Sequence, residues 1–277
     1  RRLVACPTWL EATEASLQGR SGGLKDGVNY VTVSCSMDPN TLWFIIDSGE
    51  TYKLAKSPNA VGIVVLDKEA TSANIGSHFA LQGGHLEVTG LTLRGGYRHV
   101  DGNTGGSVVI ISGSAVLTEC IFSENSASIG GALYVRSGSL NVIASNFTGN
   151  TALGGGGGAV YIESRTGATA SSTASFDRCL FEQNVAASAG GGVLYTTGST
   201  QPVEVDFISC TLRNNNAHVG GALRSNGETS SISVTQSTIS GNSAVEGGGA
   251  VYTWKGTIEM QACAFDGNHA GQSGGAI

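Results

Sequence analysis

The chain has 277 residues, a formal net charge of −6, 13 % charged and 40 % hydrophobic residues, and 42 glycines. Sparse charge with this apolar content excludes a disordered polymer, and the glycines follow no Gly-X-Y period, which excludes collagen. An acidic chain without clustered Lys and Arg does not suit nucleic acid, and no run of roughly 18 apolar residues exists to insert this segment into a membrane.

Residues 1–40 do not repeat. Pro7-Thr8-Trp9 followed by Leu10, Thr13, Ser16 and Leu17 predicts a short helix capped by Thr8. Val28, residues 30–33 and Cys35 predict a strand. A solenoid needs its open end covered, so 1–40 is expected to be an N-terminal cap. Arg1-Arg2 lead into only a few apolar residues, which gives the expectation that the chain begins after processing.

From 41 onward a degenerate coil begins. Apolar runs at 42–46 and 63–66 precede Leu86, Val88, Leu91, Leu93 and Gly96, whose spacing recurs later with Asn in place of the glycine. Residues 97–277 are regular. Asn125, Asn150, Asn184, Asn215, Asn242 and Asn268 lie 25, 34, 31, 27 and 26 residues apart. Three positions before each stands Phe122, Phe147, Phe181, Leu212, Ile239 or Phe265, and five before it Cys120, Ser145, Cys179, Cys210, Ser237 or Cys263. A Gly-Gly and a small residue follow each Asn. A coil of 25 residues suits three short strands and three turns, and identical positions returning every coil put neighbouring strands in parallel. The expected fold is therefore all-β, a right-handed single-stranded parallel β-helix over 41–277. Longer steps go into turns, chiefly at 164–173 and 197–202. The chain stops inside a repeat at 274–277, which gives the expectation of a longer parent protein.

Columns of like side chains then define the candidate sites. The Phe, Cys/Ser and upstream apolar columns face inward, and the six Asn form a ladder of stacked amides. After each Gly-Gly, the column Tyr134, Tyr161, Tyr195, Arg224, Tyr252 alternates with inward residues. Arginine does not suit a narrow core, so this column is expected on the solvent side, extended by Trp254 into a stripe for sugars or another protein. The competing explanation is the ordinary strand preference for tyrosine.

Cys179 and Cys210 stand one coil apart, the only spacing in the cysteine column that permits a disulfide; buried free thiols are the simpler reading. Cys6 and Cys35 are better disulfide candidates in a secreted protein. Asn146-Phe147-Thr148 is a sequon on an outward position, making Asn146 an N-glycosylation candidate.

These motifs resemble the polymorphic outer-membrane protein repeat, whose signatures are F-x-x-N and G-G-A-[ILV]. Residues 122–125, 147–150, 181–184 and 265–268 match the first; 130–133, 157–160, 220–223, 248–251 and 274–277 match the second. Leu212, Ile239 and Val193 depart from it. Residues 41–277 also look like the parallel β-helix of pectin-lyase-like proteins. The resemblance implies a surface-exposed or secreted protein, adhesin-like in the chlamydial family, where the repeats belong to autotransporter passengers.

Enzymes share the fold, but a polysaccharide lyase needs a carboxylate cluster for calcium and a glycosidase needs two facing carboxyls. Here Glu119, Asp177, Glu182, Glu204, Asp206, Glu259 and Asp266 fall in different columns. Glu182 and Arg213 share one column in adjacent coils, which predicts an exposed ion pair. His78, His85, His218 and His269 lack metal spacing, and 154–158 lacks the Lys-Ser/Thr of a phosphate loop. No cofactor, metal or catalytic residue is expected. The expected function is a structural or adhesive module of an extracellular or cell-surface assembly. Its expected partners are other extracellular proteins or further domains of the parent, or glycans; a glycan-binding module and a polysaccharide-cleaving enzyme are the alternatives.

Overall fold

The structure, a computed structural model, describes residues 4–5, 29–31, 35–36, 44–69, 76–98, 104–164 and 170–277. Among them there is no helix, and the strands form three sheets of 10, 13 and 7 strands whose strand-to-strand pairings are parallel. From Phe79–Thr89 onward each wind of the chain contributes to all three sheets in turn, which makes the molecule a β-solenoid.

Register sets the columns. Leu93, Phe122, Phe147, Phe181, Leu212, Ile239 and Phe265 are direct partners along the ten-stranded sheet. At about 4.8 Å per strand, nine intervals in that sheet give a rod of roughly 43 Å. The same sheet continues through Leu66 to Cys35 and on to Val4, while Asn29–Val31 joins the thirteen-stranded sheet beside Thr51–Lys56. Parallel pairing thus reaches into 1–40. The predicted helix over 8–17 and Cys6 lie outside the described residues.

The thirteen-stranded sheet bends. In some coils one long strand covers the bend, as in Val108–Thr118 and Leu223–Thr235; in others it is broken into two, as in Val160–Ser164 and Ser172–Asp177. The break is where added residues are accommodated. Register on either side is conserved, Leu133 to Val160 and Leu140 to Ala174, so the extra length of that coil leaves the stack undisturbed.

Corners are made by single left-handed residues. Glu119, Ala144, Arg178, Ser209, Gln236 and Ala262, one before each Cys/Ser position, have φ of 49° to 55°. A second set precedes the Asn ladder, with Glu124, Gln183 and Asn214 at 55° to 56°. The Gly-Gly pair forms the third corner for two separate reasons. Its first glycine is left-handed (Gly130 φ 60°), and a Cβ on its second, Gly131, would stand 2.2 Å from the Gly158 carbonyl of the next coil.

The interior carries two stacks of aromatic rings. Phe122, Phe147 and Phe181 stack with centroids 4.7 Å apart and planes 8° from parallel. Phe176 and Phe207 form a second stack at 4.9 Å, set edge-on against Phe181. Each is fully buried, so each contributes about 1.5–3 kcal/mol through burial, with a smaller increment from ring geometry.

Candidate functional site

The most ordered polar element is the amide ladder. Asn125 Nδ2 donates to Asn150 Oδ1 at 3.0 Å, and the same bond recurs from Asn150 to Asn184, Asn184 to Asn215, Asn215 to Asn242 and Asn242 to Asn268 at 2.9–3.0 Å. Each Oδ1 also accepts the backbone N–H of the preceding ladder residue, and each Nδ2 also donates to a carbonyl of the preceding coil, such as Phe122 for Asn150. Gly96 begins the series, donating its N–H to Asn125 Oδ1 at 3.0 Å. The left-handed residue before each Asn turns its side chain into the core, where burial strengthens these bonds and makes each one costly to lose. From Asn125 to Asn242 the amides fill their hydrogen-bonding capacity with one another and with backbone groups, so the ladder holds the coils.

A parallel column of thiols and hydroxyls runs beside it. Cys120 N donates to Ser145 Oγ at 3.0 Å, Cys179 N to Cys210 Sγ at 3.4 Å and Cys210 N to Ser237 Oγ at 3.0 Å. In turn, Ser145 Oγ–H and Cys210 Sγ–H each donate to the carbonyl two residues before them. Cys120, Cys179, Cys210 and Cys263 are free thiols. Burial pushes the Cys120 thiol up to about 12, so no thiolate forms there at neutral pH. Cys35 lies in register with Leu66; its expected bond to Cys6 falls outside the described residues.

The tyrosine column requires a correction. It does point away from the main core, but Tyr134, Tyr161 and Tyr195 are only 2 %, 8 % and 9 % exposed. They form a second small core with Ala80 and Val109, flanked by Ile111 and Ile129. Glycine turns lie against them: a Cβ on Gly156 would stand 2.2 Å from Tyr195 Cδ1, one on Gly130 3.0 Å from Tyr161 Cβ and one on Gly105 3.1 Å from Tyr134 Cβ. Their hydroxyls are engaged, Tyr134 with the Glu163 carboxylate, Tyr161 with Thr197 at 3.4 Å, and Tyr195 accepting from Asn226 Nδ2 at 2.9 Å. The expected open stripe therefore does not exist over these three residues. What remains accessible is its far end, where Arg224 and Tyr252 are half-buried and Trp254 is 67 % exposed. Arg224 lies in register between Tyr195 and Tyr252, its guanidinium carbon 4.9 Å and 5.8 Å from their ring centroids.

Other polar groups are structural in their contacts. Arg213 Nε meets Glu182 Oε1 at 2.9 Å, worth at most about 1 kcal/mol at this exposure. Asp177 pairs with Arg178 at 2.6 Å. Asn146 is exposed, on a strand whose next residue, Phe147, is buried. Among the described residues no three His, Cys, Asp or Glu side chains gather where they could hold a metal ion. One buried site escaped sequence reasoning. His78 is fully buried, with Nε2 3.1 Å from the Leu66 carbonyl and Nδ1 3.1 Å from Ser107 Oγ. Desolvation first, and nearby Lys68 second, push its pKa down to about 4, so the ring is neutral. Its irregular coil carries no repeating column that could have exposed it.

With this geometry in place, the family model of the Chlamydia polymorphic membrane protein (Chlamydia_PMP) repeat matches residues 119–136, 144–163 and 236–253. The chain carries polymorphic outer-membrane protein repeats within a β-helix. Two of the matched repeats are consecutive coils, and each spans a ladder thiol or hydroxyl, its Asn and the Gly-Gly corner. No curated protein and no solved structure is significantly similar to the chain. The repeat and the solenoid fit a surface, adhesin-type structural module, and the matched family is associated with the outer membrane and cell surface.

Proposed function

We propose that the chain is a non-catalytic structural and adhesive β-helix module of a secreted or cell-surface protein, a rigid rod that presents its outer face to extracellular proteins or glycans. The observation that carries this reading is the ladder. Six consecutive Asn spend their amides on one another and on the backbone, so the polar chemistry at the heart of each coil serves stiffness, and contact falls to the outer face. Adhesion of beads coated with the folded chain to epithelial cells or extracellular matrix tests it. Saturable adhesion that heat-unfolded chain does not show is expected. Absence of adhesion, together with release of unsaturated or reducing sugar ends from polysaccharides, would replace this reading with an enzymatic one.

A further inference from the structure

Successive coils turn a corner between the thirteen-stranded and the ten-stranded sheet, and one coil turns it differently. Ala55, Thr89 and Thr118 are direct partners, so Lys56, Gly90 and Glu119 take the corner place that follows. Gly90 and Glu119 are left-handed, with φ of 71° and 53°, and Leu91 and Cys120 come directly after them. Lys56 is instead followed by residues 57–63 before Val64 pairs with Leu91. This insertion is a folded turn. The Asn59 N–H donates to Ser57 Oγ at 3.3 Å and the Ala60 N–H to the Ser57 carbonyl at 3.0 Å. Ser57 is buried and Ala60 packs against the main core, while Ile63 at the end of the turn is 67 % exposed.

The turn makes a notch of about 250 Å³, with Ile63 on one wall, Ile121 on the other and Gly90 and Leu91 beneath. Charge marks its two ends. Lys56 and Glu119 line it from either side of Gly90, two strand spacings or about 9–10 Å apart along the axis. Among the described residues neither side chain has a hydrogen-bond or ion-pair partner, whereas the neighbouring Lys53 and Arg94 are paired with Glu87 and Asp67. Gly90 keeps the gap open, since a Cβ there would stand 3.2 Å from Lys56 Cβ.

We infer that this notch binds a small zwitterion with an apolar side chain, an α-amino acid of the size of leucine. Its carboxylate meets the Lys56 ammonium, its ammonium meets the Glu119 carboxylate, and its side chain covers Ile63 and Ile121. The opposite charges fix its direction along the axis. Sites for drug-sized ligands run to roughly 300–1,000 Å³, and this notch falls below them. Each exposed ion pair contributes little alone, so both charges and the apolar contact are needed, and the affinity expected is about millimolar. The inference goes beyond the reading of the chain as an adhesive module.

Isoleucine-methyl NMR of the whole chain, titrated with L-leucine, tests it. The Ile63 and Ile121 signals are expected to shift saturably while those of Ile232 and Ile239, fully buried in the rod, stay still. Leucinamide, which lacks the carboxylate, and N-acetyl-leucine, which lacks the ammonium, are each expected to bind about fivefold more weakly, and glycine more weakly still. Lys56→Met should erase the preference for leucine over leucinamide, and Glu119→Gln the preference over N-acetyl-leucine, both without moving the melting temperature. No saturable shift at millimolar leucine, equal affinity for leucine and its two derivatives, or preferences unchanged in the two variants would overturn the site. A leucine-centred tripeptide blocked at both ends and binding as tightly as leucine would overturn it too, since no charge would then be read. The module reading would survive any of these, because bead adhesion measures it independently.

Discussion

Removing one amide from the middle of the ladder should damage the fold far more than removing the last. Asn150 makes four side-chain hydrogen bonds: Nδ2 to the Phe122 carbonyl and to Asn184 Oδ1, both at 2.9 Å, and Oδ1 from the N–H and Nδ2 of Asn125 at 3.2 Å and 3.0 Å. After Asn150→Ala, Asn125 Nδ2 keeps the Leu93 carbonyl and Asn184 Oδ1 keeps the Asn150 N–H. The Asn125 N–H keeps nothing, in an interior from which water is excluded. A buried orphan costs about 1–3 kcal/mol and three further bonds about 0.5–1.5 each, so a loss of about 2.5–7.5 kcal/mol is expected. Asn268 is half-buried and water can take its place, so Asn268→Ala should cost about 1 kcal/mol. Urea unfolding followed by far-UV circular dichroism compares the two. Asn150→Asp sharpens the test: it keeps the volume but turns a double donor into an acceptor facing the Phe122 carbonyl and Asn184 Oδ1. It should be at least as harmful as alanine at neutral pH and should partly recover once the carboxyl is protonated. Equal losses for Asn150→Ala and Asn268→Ala, or a loss under about 1 kcal/mol for Asn150→Ala, would show that the ladder does not hold the coils.

Acid should weaken the fold through His78. Its pKa is about 4 in the folded protein against an ordinary 6.5, so the unfolded chain takes the proton first. Stability is full above about pH 6.5 and falls as pH drops toward 4, by about 3 kcal/mol in all; the excess slope of urea midpoint against pH should vanish in His78→Gln. At the corners, Ala144 holds φ 49° at an exposed position, so Ala144→Gly should raise stability by about 0.5–1 kcal/mol in thermal melts. Gly131→Ala should do the opposite, by about 3 kcal/mol, because its Cβ meets the Gly158 carbonyl. Iodoacetamide mapping by mass spectrometry should find Cys120, Cys179 and Cys210 unlabelled in the native protein and labelled in urea, since all three are buried.

What the sequence reveals of this molecule follows from how a solenoid is built. Each coil rests on the coil before it, so an interior position must match its neighbour in size and polarity, and the match repeats at every turn. Phe122, Phe147 and Phe181 stack ring on ring, with the large apolar Leu212 and Ile239 taking the same inward place in later coils, and the six Asn recur because one amide needs the next. Those columns are legible for that reason. The tyrosines show the limit of the same logic. Arg224 correctly places their column outside the main core, but outside the core is a different statement from open to solvent. The run of five glycines at 154–158 lies against Tyr195, where a side chain at Gly156 would collide with the ring. Periodicity describes which residues face alike and is silent about a loop that folds back over them.

Function in such a fold is therefore not to be sought in the repeat. Every coil satisfies the same packing rule, so a residue that obeys its column reports on stability alone. A residue that breaks its column has no such obligation, as with the charged side chain among tyrosines at Arg224 and the tryptophan left unpaired at the bulge between Thr253 and Lys255. His78 and Lys68, buried in the irregular coil, are breaks of the other kind. They face inward, where Leu66 and Ser107 satisfy the ring, and they bear on stability and its dependence on pH. The two kinds are separable by experiment, because Trp254→Ala should leave the melting temperature in place while His78→Gln should change how it varies with acid. If Trp254→Ala instead lowered the melting temperature as much as a core substitution, the exposed end of the column would be packing surface, and the distinction between obeying and breaking a column would lose its functional meaning.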